Sequence, residues 1–173
     1  MKDDIDNNSQ IIRIQKESKR IEEDCTYSGK SHLNSADKWN KIHYWLGIPA
    51  TISAALAAAD IFSGTVISGV LAALAAALIA ASTFVNPSKR ASEHEIAGNQ
   101  YLALFKRTRR FREIDLFHLE NEDARARVEE ISNKRDDLNE STPNPLQSAV
   151  EKTRSGIEKG ETEYVADKGK DIS

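Results

Sequence analysis

Apolar and charged positions are distributed very unevenly along this chain. Between Ile42 and Val85 there is no Lys, Arg or Glu, and Asp60 is the only acid. On both sides charged residues recur every few positions. A helix of a water-soluble bundle keeps one wet face, and this central block has none. Its second half, "SGVLAALAAALIAASTFV" from Ser68 to Val85, runs uncharged into Asn86-Pro87 and then Lys89-Arg90.

A bilayer core of ~30 Å takes about 20 helical residues at ~1.5 Å each. The block is too long for one crossing and suits two. "AADIFSGT" supplies the break, because Asp60 is costly in lipid and Ser63-Gly64 weaken a helix. The pattern predicts a transmembrane hairpin over 42–85, with spans at 42–59 and 65–85 and a loop at 60–64. The second span is about 31 Å long and matches a bilayer; the first, about 27 Å, is marginal. Tyr44 and Trp45 suit the headgroup level. Gly47 and Pro49 predict either a kink or a helix that begins at Pro49. The competing reading is an Ala-rich hairpin buried in a soluble helical bundle. Lys38 and Lys41 precede the block, Lys89 and Arg90 follow it, and the loop has no basic residue. The positive-inside rule then predicts a multi-pass inner-membrane protein with both termini cytoplasmic.

On a helical wheel the second span divides into two sides. Thr65, Gly69, Ala73, Ala76, Ala80 and Thr83 fall on one; Ile67, Val70, Leu71, Leu74, Leu78 and Val85 fall on the other. The first span has a small row of its own: Gly47, Ala50, Ala54 and Ala57. Small rows let helix backbones approach closely in lipid. They pack either within one hairpin or between subunits of a homo-oligomer, which would enclose a path lined by Ser53, Ser68, Ser82 and Thr83. Gly69, Ala73, Ala76, Ala80, Thr83 and Ser53 are therefore the candidates for helix packing or pore lining. No charge inside the block marks a proton or ion route, which argues against a pump.

The flanks read as cytoplasmic helices. Over 1–41, Ile11, Ile14, Ser18, Ile21 and Cys25 recur at helical spacing. Gly29-Lys30 is expected to interrupt that helix, and a second piece with Leu33, Ala36 and Trp39 runs into the first span. After the block, Asn86 reads as an N-cap with Pro87 at the first helical position. A helix then runs from about Ser88 to Phe117 within a C-terminal cytoplasmic segment, 86–140. Its face reads Ala91, His94, Gly98, Tyr101, Leu102, Phe105, Arg109, Arg112, Leu116. Arginines on such a stripe either pair with acids of a neighbouring helix or lie exposed where a bundle ends. His94, Tyr101, Arg109 and Arg112 are the candidates for contact with a signal or partner. Residues 118–140 carry dense charge with Leu119, Val128, Ile131 and Leu138 at wide spacing, as a coiled extension or a loose helix. "NESTPNP" marks a turn, and 141–173 reads as linker and weakly helical or disordered tail. Leu146, Val150, Thr153, Ile157 and Tyr164 hint at a helix there that Gly156 and Gly160 weaken.

Composition narrows the function. The chain has 173 residues, a length that fits one domain with tails, and a net charge of −3. That balance argues against nucleic-acid binding. The basic run "KRTRRFR", Lys106 to Arg112, is answered at once by Glu113, Asp115, Glu120, Glu122 and Asp123, as on a solvated helix. Cys25 is the single cysteine, so no intrachain disulfide forms, and a lone thiol fits a reducing compartment. The acidic start, "MKDDIDNNSQ", is no signal peptide. His32, His43, His94 and His118 are scattered, and there is no phosphate-binding Gly loop, metal spacing or nucleophile elbow. The expectation is no enzyme, with no catalytic, cofactor or metal residues.

The order of these parts resembles the SLATT family, the two-transmembrane effector domains that accompany SMODS and SLOG domains in bacteria. The resemblance covers about Ile11 to Leu138. It is carried by "HLNSADKWNKIHYWLGIPATISAALAA", above all Trp45-Leu46-Gly47-Ile48-Pro49, and by "NPSKRASEHEIAGNQYLALFKRTRRF", with Asn86-Pro87, Ala91, His94, Ala97, Gly98, Tyr101 and Leu102. It implies a membrane effector of a bacterial conflict or antiphage system that forms pores or disrupts the membrane. It implies partners among nucleotide-generating enzymes, nucleotide-sensing proteins and, in some branches, reverse transcriptases. It brings no catalytic residues. The combined expectation is an all-α membrane protein, a two-helix transmembrane hairpin flanked by cytoplasmic helices, acting as a homo-oligomeric effector. The alternative is a constitutive anchor or scaffold without a pore.

Overall fold

The computed structural model describes residues 2–59 and 64–162, with side chains from Ser9 onward. All regular structure among them is helical: α1 (Lys2–Ala58), α2 (Val66–Val85), α3 (Pro87–Glu113), a 3-10 turn (Asp115–His118), α4 (Asn121–Ser141) and α5 (Gln147–Glu158). They form two compact units, Met1–Asn34 with His94–Ser173, and Ser35–Glu93. The expected loop at 60–64 falls almost entirely on Asp60–Ser63, outside the described residues, as does the tail from residue 163 with Tyr164.

The split unit is a helical bundle. α1 brings Ile14, Ile21 and Cys25 to its core, α3 brings Tyr101, Leu104 and Phe111, the 3-10 turn brings Leu116, and α4 brings Ala124, Ile131 and Leu138. The α4 residues are seven apart, a narrow apolar seam that leaves the other faces wet. That explains how so charged a segment is a regular helix of 21 residues rather than a loose extension. Glu122 and Asp123 occupy its first turn, where the helix dipole favours acids.

Four sequence expectations change here. First, Gly29-Lys30 does not interrupt α1, which runs on for 57 residues. Gly29 instead faces Gly98: a Cβ on Gly98 would lie 2.8 Å from Leu33 Cγ and 3.0 Å from the Gly29 carbonyl oxygen. Glycine serves close helix approach at this point, not chain breaking. Second, the buried stripe of α3 turns away from Arg109 and Arg112 and continues through Leu104, Thr108 and Phe111. Thr108 is tolerated there because its hydroxyl donates to the Leu104 carbonyl at 2.9 Å. Third, α3 stops at Glu113, and the 3-10 turn tucks Leu116 into the core while Ile114 and Phe117 point outward. Fourth, α5 is a packed helix. Ala149, Thr153 and Gly156 are buried, Asn34 Nδ2 donates to Thr153 Oγ1 at 2.9 Å, and Lys30 pairs with Glu161.

In the second unit Pro49 sits inside α1 without ending it. Proline deprives Trp45 of its helical partner; two residues on, the Thr51 hydroxyl donates to the Gly47 carbonyl at 2.9 Å. Asn86 adopts the left-handed conformation, φ 46°, which asparagine accepts better than most residues. Its N–H bonds Ser82 O at 2.9 Å, closing α2, and its carbonyl accepts from Arg90 N at 3.2 Å, opening α3. Asn86 is thus the joint of two helices, with Pro87 at the first position of α3.

Candidate functional sites: an exposed apolar helix and a buried histidine pair

Among the described residues one helical stretch, Val66–Glu113, holds an 18-residue window apolar enough to cross a membrane, with mean hydropathy 2.2 and 6% of it buried. A core helix of a soluble protein would be mostly enclosed. Here Val66 is 84% exposed and Phe84 89%, with Ile67, Val70, Leu74 and Ile79 also open. The end of α1 shows the same habit at Trp45, Ile48, Ile52 and Leu56. Monomeric proteins in water seldom expose an apolar surface this continuous. The first apolar segment is more diluted, by His43, Tyr44, Gly47, Pro49, Thr51 and Ser53.

Residues turned inward along the apolar stretches include Leu46, Ala50, Ser53 and Ala57 on α1 and Ser68, Leu71, Ala75, Leu78 and Ser82 on α2, all buried or half-buried. Both sets step by three and four, the spacing of a narrow helical seam. Ser53 is therefore a packed residue. Gly69, Ala73, Ala76, Ala80 and Thr83 are exposed, and a Cβ on Gly69 would meet nothing within 4 Å. Of the two alternatives for the small row of α2, packing within one hairpin finds no support, because that row lies outside the seam. On a helix so rich in alanine, residue size alone does not select a face. The hydroxyls proposed for a polar path are partly engaged, since Ser68 Oγ donates to Thr65 O at 2.8 Å and Thr83 Oγ1 to Ile79 O at 2.9 Å.

In the bundle, His94 faces His32, which the sequence reading did not single out. Their Nδ1 atoms lie 3.0 Å apart, and both rings are buried. One Nδ1 must carry a proton and the other must accept it, so the accepting ring is unprotonated at that nitrogen. His32 stacks on Tyr101 at 5.5 Å between centroids, and the Tyr101 hydroxyl donates to Asn139 Oδ1 at 2.7 Å. Burial, then the neighbouring His94, pushes His32 down to about 4. Burial pushes the Tyr101 phenol up. Beside them lies a cavity of about 140 Å³, lined by Tyr27, Ser31, His32, Tyr101, Asn139 and Thr142 among others, with no formally charged side chain.

Arg112 follows the pairing alternative. Its Nε and a terminal nitrogen reach the buried Glu22 carboxylate at 2.6 and 3.1 Å. Hydrogen bonding to Glu22 holds the guanidinium above its ordinary value. Arg109 lies 5.9 Å from the Phe105 ring centroid and 3.9 Å from Glu113. The structure thus brings His94 and Tyr101 into one cluster, and places Arg109 and Arg112 apart from it in ion pairs. Cys25 is buried and burial pushes its thiol up to about 12, an unreactive setting. The signal for His32 was present: Ser18, Cys25 and His32 recur at seven-residue intervals on one buried face.

No family model, curated protein or solved structure matches this chain.

Proposed function

We propose that the chain is a two-span membrane effector of the SLATT kind, with both termini cytoplasmic, acting as a homo-oligomer in a bacterial conflict system. The exposed apolar surface of α2 carries the membrane part of this reading. Lipid is the solvent in which Val66, Val70, Leu74, Ile79 and Phe84 lose nothing by facing outward. The outward row of Gly69, Ala73, Ala76 and Ala80 then faces neighbouring copies, where small residues let helices close up. A signal from a partner, such as a nucleotide-generating enzyme, a nucleotide-sensing protein or a reverse transcriptase, rearranges the cytoplasmic helices and opens or perturbs the membrane, ending in growth arrest or death.

A second reading, a constitutive anchor without a pore, is favoured by one observation. The Ser68 and Thr83 hydroxyl protons are held by their own backbone, which leaves a pore wall poor in donors. Carbonate-washed fractionation with a potential-sensitive dye on the same induced cells separates the readings. Retention in the pellet with collapse of potential supports the effector. Retention with potential intact, also when the partner genes are co-expressed, favours the anchor. Release into the supernatant overturns both.

A further inference from the structure

Trp39 and His43 lie one turn apart on α1, and Arg90 lies in the first turns of α3, all within the Ser35–Glu93 unit. The Arg90 guanidinium sits 5.0 Å from the Trp39 ring centroid. Its Nε donates to the Val85 carbonyl at 3.0 Å, and Arg90 forms no ion pair among the described residues. Trp39 Nε1 and His43 Nδ1 are enclosed and have no hydrogen-bond partner among the described residues. An indole N–H can only donate, and an enclosed donor left without an acceptor is unfavourable.

The charges of this edge lean one way. Lys38, Lys41, Lys89 and Arg90 meet only Asp37 and Glu93 between residues 35 and 93, Asp60 aside. Glu93 already lies 3.7 Å from Lys89. The missing partner is therefore an acceptor, and an anionic one. A group with several oxygens could serve the guanidinium fork of Arg90 and the indole N–H and imidazole that lie one turn apart on α1. On the same α1 stretch Tyr44 and Trp45 are exposed, and Phe84 and Val85 are exposed just before Arg90. A ligand held here has apolar surface beside its anionic group.

We propose that Trp39, His43 and Arg90 bind the phosphate of an anionic lipid headgroup, the acyl chains lying along Trp45, Phe84 and Val85. The exposed Arg90 side chain rotates to admit the phosphate and grips it with both terminal nitrogens. Trp39 Nε1 donates to one oxygen, and His43, in the tautomer protonated on Nδ1, donates to another. This rests on the membrane reading. A free phosphate offers the same oxygens without the chains, so the test distinguishes the two.

Two single-tryptophan versions of the full chain separate the questions. Trp45→Phe leaves Trp39 as reporter of the site, and Trp39→Phe leaves Trp45 as reporter of the bilayer. Each is reconstituted into phosphatidylcholine vesicles with and without phosphatidylglycerol. Trp45 emission is expected to shift to the blue in both vesicles. Trp39 emission is expected to change only with phosphatidylglycerol, and Arg90→Gln is expected to weaken that response roughly tenfold or more, the size of one charge-assisted hydrogen bond. Unchanged Trp39 emission beside a shifted Trp45 overturns the site and leaves the membrane reading standing. An unshifted Trp45 overturns the membrane reading, and the site with it. Inorganic phosphate that reproduces the Trp39 change in detergent overturns the lipid assignment. Lipid phosphorus retained per chain after detergent washing gives a second readout. It should fall in Arg90→Gln at unchanged helicity, and equal retention in variant and parent counts against the site.

Discussion

His32 on α1 and His94 on α3 meet nitrogen to nitrogen, 3.0 Å apart, inside the helical bundle. The contact requires one protonated and one unprotonated Nδ1. His32 is held down at about 4, below its unfolded value of ~6.5. Above pH 6.5 the ring is neutral in both states and the contact is intact. As pH falls from 6.5 towards 4 the unfolded chain takes up a proton that the folded chain refuses, so stability declines through that window. The loss is at most on the order of 3 kcal/mol. Thermal unfolding followed by circular dichroism across this range should show it, and His32→Asn should flatten the profile. A parent profile already flat between pH 4 and 6.5 would contradict a His32 that resists protonation in the folded chain.

The Arg112–Glu22 pair predicts a coupling. Glu22 is buried, so Glu22→Gln leaves a cation with its best partner gone and should cost about 2–3 kcal/mol. Replacing both residues, as Glu22→Gln with Arg112→Met, should cost less than the two single changes added together. A double-variant cycle on melting temperature measures this, and strict additivity would speak against a coupled pair.

Two glycines give opposite expectations for one substitution. Gly98→Ala puts a Cβ 2.8 Å from Leu33 Cγ, and should destabilise by about 1–3 kcal/mol. Gly69→Ala meets nothing within 4 Å, and should leave the fold unchanged or slightly firmer, since alanine favours helix. Equal effects at both positions would show that α1 and α3 are not in close approach at Gly98.

Val70 is 62% exposed, and its surroundings decide the outcome of Val70→Lys. On a water-facing helix such a change stays within about 0.5 kcal/mol. In a bilayer a central lysine costs ~2.5–3.5 kcal/mol. The expected result is a large drop in the carbonate-resistant fraction. A variant that remains in the pellet like its parent would disprove a lipid-facing Val70.

How much of this was legible in the sequence differs by segment. The apolar helix to Val85, the Asn86-Pro87 junction and the inward His94 and Tyr101 follow from charge distribution and helical spacing. A glycine in a polar helix looks alike whether it breaks the helix or admits a neighbour, and only Gly98 opposite Gly29 decides. The inward face of α2 is not marked in the sequence, because Ala75, between Ser68 and Ser82, is no larger than the residues on the other side. The drift from Tyr101 to Leu104, Thr108 and Phe111 is hidden by Leu102, Phe105 and Leu116, which make an equally apolar line. The Glu22 and His32 partners lie on a helix distant in sequence, and periodicity within one segment carries no information about pairs between segments.

The bundle core is split along the chain: Ile14, Ile21 and Cys25 belong with residues that begin at Tyr101. The two parts leave the ribosome at different times, with the whole apolar block between them. At ~5–20 residues per second, the first part waits several seconds for its partners, its apolar face open to chaperones. On the membrane reading the apolar block meets lipid before the core can close. Insertion then comes first and tertiary folding second, so a chain that stalls after the block is anchored but unfinished.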